Sequence, residues 1–260
     1  MEKLKWYKIA IFILSLLVII QAALLLNLWR RKIPKKPLVT KGKIAIVLDD
    51  WGYNENNLDI LKEIQCPMTM SILPNLPYST DLAEKLKVMG FEVILHLPME
   101  PVEKYKLEQN TIMTDMDETT IQNIISIALE SVPTAKGVSN HMGSKATADL
   151  RTMSIVLNEL KKRGLYFLDS FVASNSVCKN LTRKMQIGFA SRDIFIDNQS
   201  DPEYIKGQIY KLKKRARIYG RAIGIGHDRR NTLEVLKQVI PELEREGYEL
   251  VFVSGLIRRS

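Results

Sequence analysis

The chain has 260 residues, 46% of them hydrophobic and 26% charged, and 38 Lys and Arg against 29 Asp and Glu give a formal net charge of +9. That length holds one large domain or two small ones, and the apolar fraction suits a globular domain plus one apolar anchor. The two cysteines, Cys66 and Cys178, lie far apart outside any CxxC pair. They read as buried, inert thiols, and nothing supports a disulfide between them.

Such a charge draws a protein to anionic surfaces, whether nucleic acid, anionic lipid or cell-wall polymer. Nucleic acid fits poorly, because the basic residues are spread over a linker and several helices with no aromatic platform among them.

Residues 1–29 read as a membrane anchor. Trp6 to Trp29 is almost continuously apolar, with Trp6, Tyr7 and Trp29 at its ends, where interfacial aromatics belong. Its roughly 24 residues make a helix of about 36 Å, enough to cross the hydrocarbon core. No small-x-small cleavage site follows, which favours a retained anchor over a signal peptide. Residues 30–42, RRKIPKKPLVTKG, form a basic linker that Pro34 and Pro37 keep extended. The count of positive charges on either side of the anchor would hold the following domain in the cytoplasm, although long domains cross largely regardless of charge.

From residue 43 to 260, strands and helices alternate. Strands are expected at Ile44–Leu48, Thr69–Leu73, Phe91–Leu95, Gly137–Ser139, Tyr166–Leu168, Ile194–Ile196, Ala222–Ile225 and Leu250–Val253. Several are branched apolar runs without polar alternation, as in strands buried on both faces. Helices are expected at Asp81–Met89, Asp117–Leu129, Thr147–Lys162, Pro202–Arg217 and Asn231–Glu246. This alternation predicts an α/β fold with seven to eight mostly parallel strands. No glycine-rich phosphate loop follows the first strand, which favours a barrel-like closure over an open sheet.

Six strand-like runs end in Asp or His: IVLDD, EVILH, GVSNH, YFLD, IFID and AIGIGH. Strand C-terminal ends of a parallel fold share one rim, where active sites are built. All three histidines of the chain, His96, His141 and His227, lie in these runs. Asp49 and Asp50 could supply a metal ligand and a base, or simply cap a turn before Gly52. His96 could be a ligand or a satisfied core histidine. Asn140 and Ser144 could orient a ligand by hydrogen bonds, and Ser144 could equally open the next helix. Asp169 and Asp197 could support the site or touch substrate. Gly224 and Gly226 would leave room beside His227 for a substrate or another backbone. A Ser-His-Asp hydrolase fits less well, because no GxSxG elbow is present.

The segments VLDDWGY, ILHLPMEP, NHMGS, LDS and IGIGH together resemble the divergent polysaccharide deacetylases, over roughly residues 43–255. The resemblance implies a distorted, partly open β/α barrel carrying a divalent metal, expected to be zinc. It implies Asp49 as catalytic base, Asp50, His96 and His141 as metal ligands, and His227 as general acid. The two metal histidines come from separate strands instead of one H-x-x-x-H motif. The implied reaction is removal of acetyl groups, at C–N or ester bonds, from an envelope polysaccharide. The alternative is a catalytically silent glycan-binding or envelope-scaffold module on the same fold. Such substrates lie outside the cytoplasm, so the resemblance also implies export of the domain, held to the membrane through residues 6–29.

Overall fold

In the computed structural model, residues 6–7, 14–22 and 40–257 are described. Residues 14–22 are helical. The rest of the expected anchor, and all but the last three residues of the expected linker, lie outside the described residues. Among the described residues, no helix is long and apolar enough to cross a membrane. The chain divides into residues 1–39 and a unit of residues 40–260.

The branched apolar runs become strands with helices packed outside them. Described in chain order, they are β1 (Gly42–Trp51), α1 (Leu58–Leu61), β2 (Thr69–Ile72), α2 (Ser79–Val88), β3 (Glu92–Met99), α3 (Glu118–Ser131) and β4 (Gly137–Met142). Then come α4 (Leu150–Lys162), β5 (Tyr166–Asp169), α5 (Cys178–Met185), β6 (Phe189–Ser191), β7 (Ile194–Phe195), α6 (Pro202–Tyr219), β8 (Arg221–His227), α7 (Arg230–Arg245) and β9 (Tyr248–Leu250). The strands run in the order β6-β5-β4-β3-β2-β1-β8-β7, all parallel, and β9 pairs the first residues of β1.

The two ends of that order, β6 and β7, are separated in sequence only by Arg192 and Asp193. Three residue steps span at most about 11 Å. The sheet must therefore curl until its edges nearly meet, which leaves a barrel open along one seam. The connector continues both neighbouring ladders: Arg192 N–H donates to Asp169 O at 3.0 Å, and Asp193 N–H to Ile223 O at 2.9 Å.

Side chains alternate between the two faces of each strand. Ala45, Val47, Ile94, Leu168, Ala190, Ile223 and Ile225 form one buried cluster inside the barrel. Val253 and Leu256, in a short 3-10 turn after β9, join that cluster from the C-terminal segment. Ile44, Ile46, Leu48, Met70, Val93 and Leu95 belong to the larger cluster shared with the helices. Helix starts are capped by aspartates: Asp117, Asp149 and Asp201 accept from Thr120, Thr152 and Tyr204 N–H at 2.7 to 2.8 Å.

Several expected boundaries shift. The helix expected from Thr147 begins at Leu150, because Asp149 caps it after a 3-10 turn at Ala146–Ala148. The last strand is Tyr248–Leu250 instead of Leu250–Val253. α1, α5 and β6 were not expected, being too short to show a period. Cys66 and Cys178 are unpaired, and burial pushes each thiol up to about 12.

Gly224 and Gly226 do not leave room for a ligand. A Cβ at Gly224 would stand 2.6 Å from Leu212 Cδ2, and one at Gly226 would stand 2.8 Å from Ile196 Cγ1. The glycines let α6 and the end of β7 close against β8. Gly226→Ala is expected to cost about 1–3 kcal/mol by overpacking, read as a lowered urea midpoint with unchanged slope.

Candidate active site

On an extended strand Asp49 and Asp50 would face opposite ways. β1 breaks this phase. Its pairing with β2 runs Leu48↔Met70 and then Trp51↔Ile72, so β1 carries one extra residue there. Asp50 adopts φ +69°, a left-handed conformation that aspartate tolerates better than most side chains. Asp49 keeps the interior phase of Ala45 and Val47, and the bulge brings Asp50 to the same rim.

The register sets the other groups. Asp49 is the partner of His227 across β1 and β8, so both share the interior face. His96 pairs with Ser139, and His141 with Pro98, which places both imidazoles on that face as well. Asp50 Oδ1 lies 3.2 Å from His141 Nδ1 and 3.4 Å from His96 Nε2. The two ring nitrogens are 3.2 Å apart. Among the described residues, this is the cluster of ligand atoms arranged to hold a metal ion.

The triangle fits a cation. Asp50 Oδ1 is buried and accepts no hydrogen bond of proper geometry, an arrangement that is costly without a partner. A tetrahedral ion with ligands at about 2.1 Å has edges of about 3.4 Å, close to the three separations here. Burial favours protonation of Asp50, but His141 and His96 outweigh it and hold the carboxyl well below its ordinary range.

His96 is oriented by a chain of hydrogen bonds. Its Nδ1 lies 2.7 Å from Ser139 Oγ, which lies 2.7 Å from Ser71 Oγ. Ser71 in turn favours the charged form of Asp49, against the larger effect of burial. Holding Nδ1 on Ser139 turns Nε2 of His96 toward the triangle. Ser71 and Ser139 were not singled out in the sequence. Stepping by two from Asp49 and His96 along the paired strands would have found them.

Asp49 is almost fully buried, with Oδ1 free of hydrogen bonds and Oδ2 3.6 Å from His96 Nε2. Burial pushes its carboxyl up, and Asp50 adds to the rise. His227 Nδ1 meets Asp197 Oδ1 at 2.8 Å, while Asp197 Oδ2 accepts from His227 N–H and Thr232 Oγ at 2.8 and 2.7 Å. Burial would lower the His227 value, but the Asp197 carboxylate outweighs it and the net shift is upward. Asp228, beside His227, is pushed up to about 6 by burial and by Asp50, against a hydrogen bond from Asn57.

The remaining candidates stand apart from the triangle. Asn140 Nδ2 donates to Met142 O at 2.7 Å, and its Oδ1 accepts from Ser170 N–H at 2.9 Å, so it ties the end of β4 to the end of β5. Ser144 Oγ accepts from Val102 N–H at 2.8 Å, in the loop after β3. Asp169 is out of phase with the interior Leu168. Its carboxylate accepts from Phe171 N–H and Ser176 Oγ at 2.8 and 2.7 Å.

A family model described as divergent polysaccharide deacetylase matches residues 46–257. The chain belongs to that family. An uncharacterized protein, YibQ, from Escherichia coli strain K12 is 36% identical over 84% of this chain and 68% of its own. Among solved structures, an uncharacterized protein, ATU2773, from Agrobacterium tumefaciens C58 superposes with a TM-score of 0.77 at 20% identity, covering 83% of this chain and 89% of that one. The peptidoglycan deacetylase PdaC from Bacillus subtilis superposes with a TM-score of 0.50 at 17% identity, over 83% and 89%. These two likenesses show the shared barrel.

The Asp197 pairing predicts that His227 titrates above about 6.5, the ordinary histidine value. Because the folded-state value is the raised one, the pair stabilises fully below that pH and loses its contribution as pH rises through the folded value. An NMR titration of the ring carbon protons should show the raised midpoint, and Asp197→Asn should bring it down.

Proposed function

We propose that this deacetylase-family domain is a hydrolase that removes acetyl groups from an N-acetylated envelope polysaccharide, using a divalent metal held by Asp50, His96 and His141. One observation carries the reading: the ligand triangle shares its rim with a carboxylate, Asp49, and a carboxylate-backed imidazole, His227, on adjacent strands. Two histidines and one carboxylate suit zinc, with a fourth position left open. When bound, such an ion polarises an acyl carbonyl and acidifies water.

The chain's own residues supply the proton transfers. Asp49 is the general base, its free Oδ1 taking a proton from the attacking water. Asp197 fixes His227 through Nδ1, which leaves Nε2 to deliver a proton to the departing amine. Phe195 lies over the His227 ring, 6.1 Å between centroids and 13° from parallel, and limits its rotation. Pairing an acid and a base across one β1–β8 register step keeps both within reach of the same acetamide.

The same proposal places the domain on the extracytoplasmic side, tethered through residues 6–29, where such glycans lie. Protease treatment of intact spheroplasts should digest it, and a protected domain would reverse the orientation.

Elemental analysis of the purified chain should find about one divalent ion, retained in Asp49→Asn and His227→Ala but lost in Asp50→Ala, His96→Ala and His141→Ala. Ser139→Ala should weaken metal affinity about 10- to 100-fold by releasing the His96 ring. Acetate release from acetylated chitooligosaccharides or peptidoglycan should fall at least about 100-fold in the Asp49 and His227 variants. Metal binding without acetate release from any glycan would instead assign a silent glycan-binding module. Wild-type metal content in all three ligand variants would sink the site itself.

A further inference from the structure

Among the described residues, six that are not glycine have positive φ: Asp50, Asn75, Asn110, Met142, Phe171 and Gln186. Asparagine and aspartate accept this conformation, and Gln186 is the left-handed cap of α5. Met142, at φ +52°, and Phe171, at φ +50°, are different. A bulky side chain there sets Cβ against a carbonyl oxygen and needs surrounding structure to hold it.

That structure is present. Asp169 Oδ1 accepts Phe171 N–H at 2.8 Å, and Arg192 Nη2 donates to Phe171 O at 2.8 Å. Arg192 Nε donates to Ser170 O at 2.7 Å. Ser170 is bound on its other side to Asn140, the residue before His141, through N–H and Oγ at 2.9 and 3.0 Å. A buried carboxylate and a half-buried guanidinium thus clamp one turn. The turn does not bury its apolar side chain: Phe171 is 46% exposed, and Val172 beside it is 37% exposed.

The metal triangle is built on β1, β3 and β4, and β5 flanks β4. Phe171 therefore stands on one flank of the site. At the other end of the triangle, Tyr53 follows β1, between the triangle and the β8 strand that carries His227, and is 48% exposed. Its hydroxyl is hydrogen-bonded to Glu108, and it is close enough to Asp50 to feel that charge. We infer that Phe171 and Tyr53 are stacking platforms for the flat apolar faces of sugar rings. They would grip a glycan chain that extends on both sides of the unit carrying the acetyl group. A pyranose ring covering Phe171 removes from water the apolar area that the clamp holds exposed. This inference rests on the glycan reading above and adds which side chains hold the neighbouring sugars of the chain.

The test is titration of the full-length protein with N-acetylglucosamine and with its linear tetramer, in wild type, Phe171→Gly and Phe171→Trp, with thermal melts alongside. Phe171→Gly should weaken tetramer binding about three- to tenfold and leave the monosaccharide unaffected, while Phe171→Trp keeps the tetramer affinity. Glycine suits the left-handed φ, so this variant should melt no lower than wild type. Equal tetramer affinity in wild type and Phe171→Gly would overturn the platform alone. A drop of several degrees with tetramer affinity unchanged would make Phe171 a packing residue. Failure of the wild type to bind any oligosaccharide would overturn both this inference and the glycan reading.

Discussion

Adjacent residues of an extended strand face opposite ways, and the site depends on breaking that rule once. Asp49 holds the interior phase of β1, beside His227, while Asp50 belongs with the imidazoles of His96 and His141. Without the extra residue between Leu48 and Trp51, Asp50 would point toward the helices, into a layer of Leu48 and Met70. An unpaired carboxylate there would be prohibitively costly. The bulge therefore separates two jobs that neighbouring carboxylates could not otherwise divide.

Below this rim the middle of the barrel is apolar. Alanine, valine, leucine and isoleucine fill the middle of the barrel, and Val253 and Leu256 join them from the C-terminal segment. Polar groups inside are tied into chains: Thr69 Oγ and Tyr166 Oη each donate to Glu92 Oε1 at 2.9 Å, and Ser139 links His96 to Ser71. In such surroundings a hydrogen bond is stronger than in water, and an unsatisfied group costs more. The unpartnered oxygens of Asp49 and Asp50 therefore carry information. They sit where incoming groups, a proton for one and a cation for the other, would complete them.

Much of this was legible because strands buried on both faces write themselves as unbroken apolar runs, and a charged residue closing such a run stands out. Asp49, Asp50, His96, His141, Asp197 and His227 were all visible in that way. Ser71 and Ser139 were not, because a serine among apolar residues is unremarkable until the register is known. Asp169 looked equivalent to Asp197, yet one residue of phase separates their roles: Asp197 shares the interior face with Phe195, and Asp169 opposes Leu168. Gly224 and Gly226 looked like space for a ligand, but helix packing takes that space. The segment holding α5 and β6 gave no periodic signal, since a three-residue strand cannot show one.

The placement of His96 and His141 on different strands raises a geometric question that the ring nitrogens answer. Along the paired strands His141 stands level with Pro98, two residues beyond His96, a rise of about 6.6 Å. Two imidazoles so staggered could not present the same nitrogen at one point. His96, lower in the barrel, offers its distal Nε2, because Nδ1 is tied to Ser139 beside it on β4. His141, at the rim, offers the proximal Nδ1. The difference in reach offsets much of the stagger, and the nitrogens meet at 3.2 Å. A helical H-x-x-x-H pair achieves convergence by stacking one turn apart. Here the strand register does so, provided each ring is held in one orientation, which is what the hydrogen bond with Ser139 does for His96.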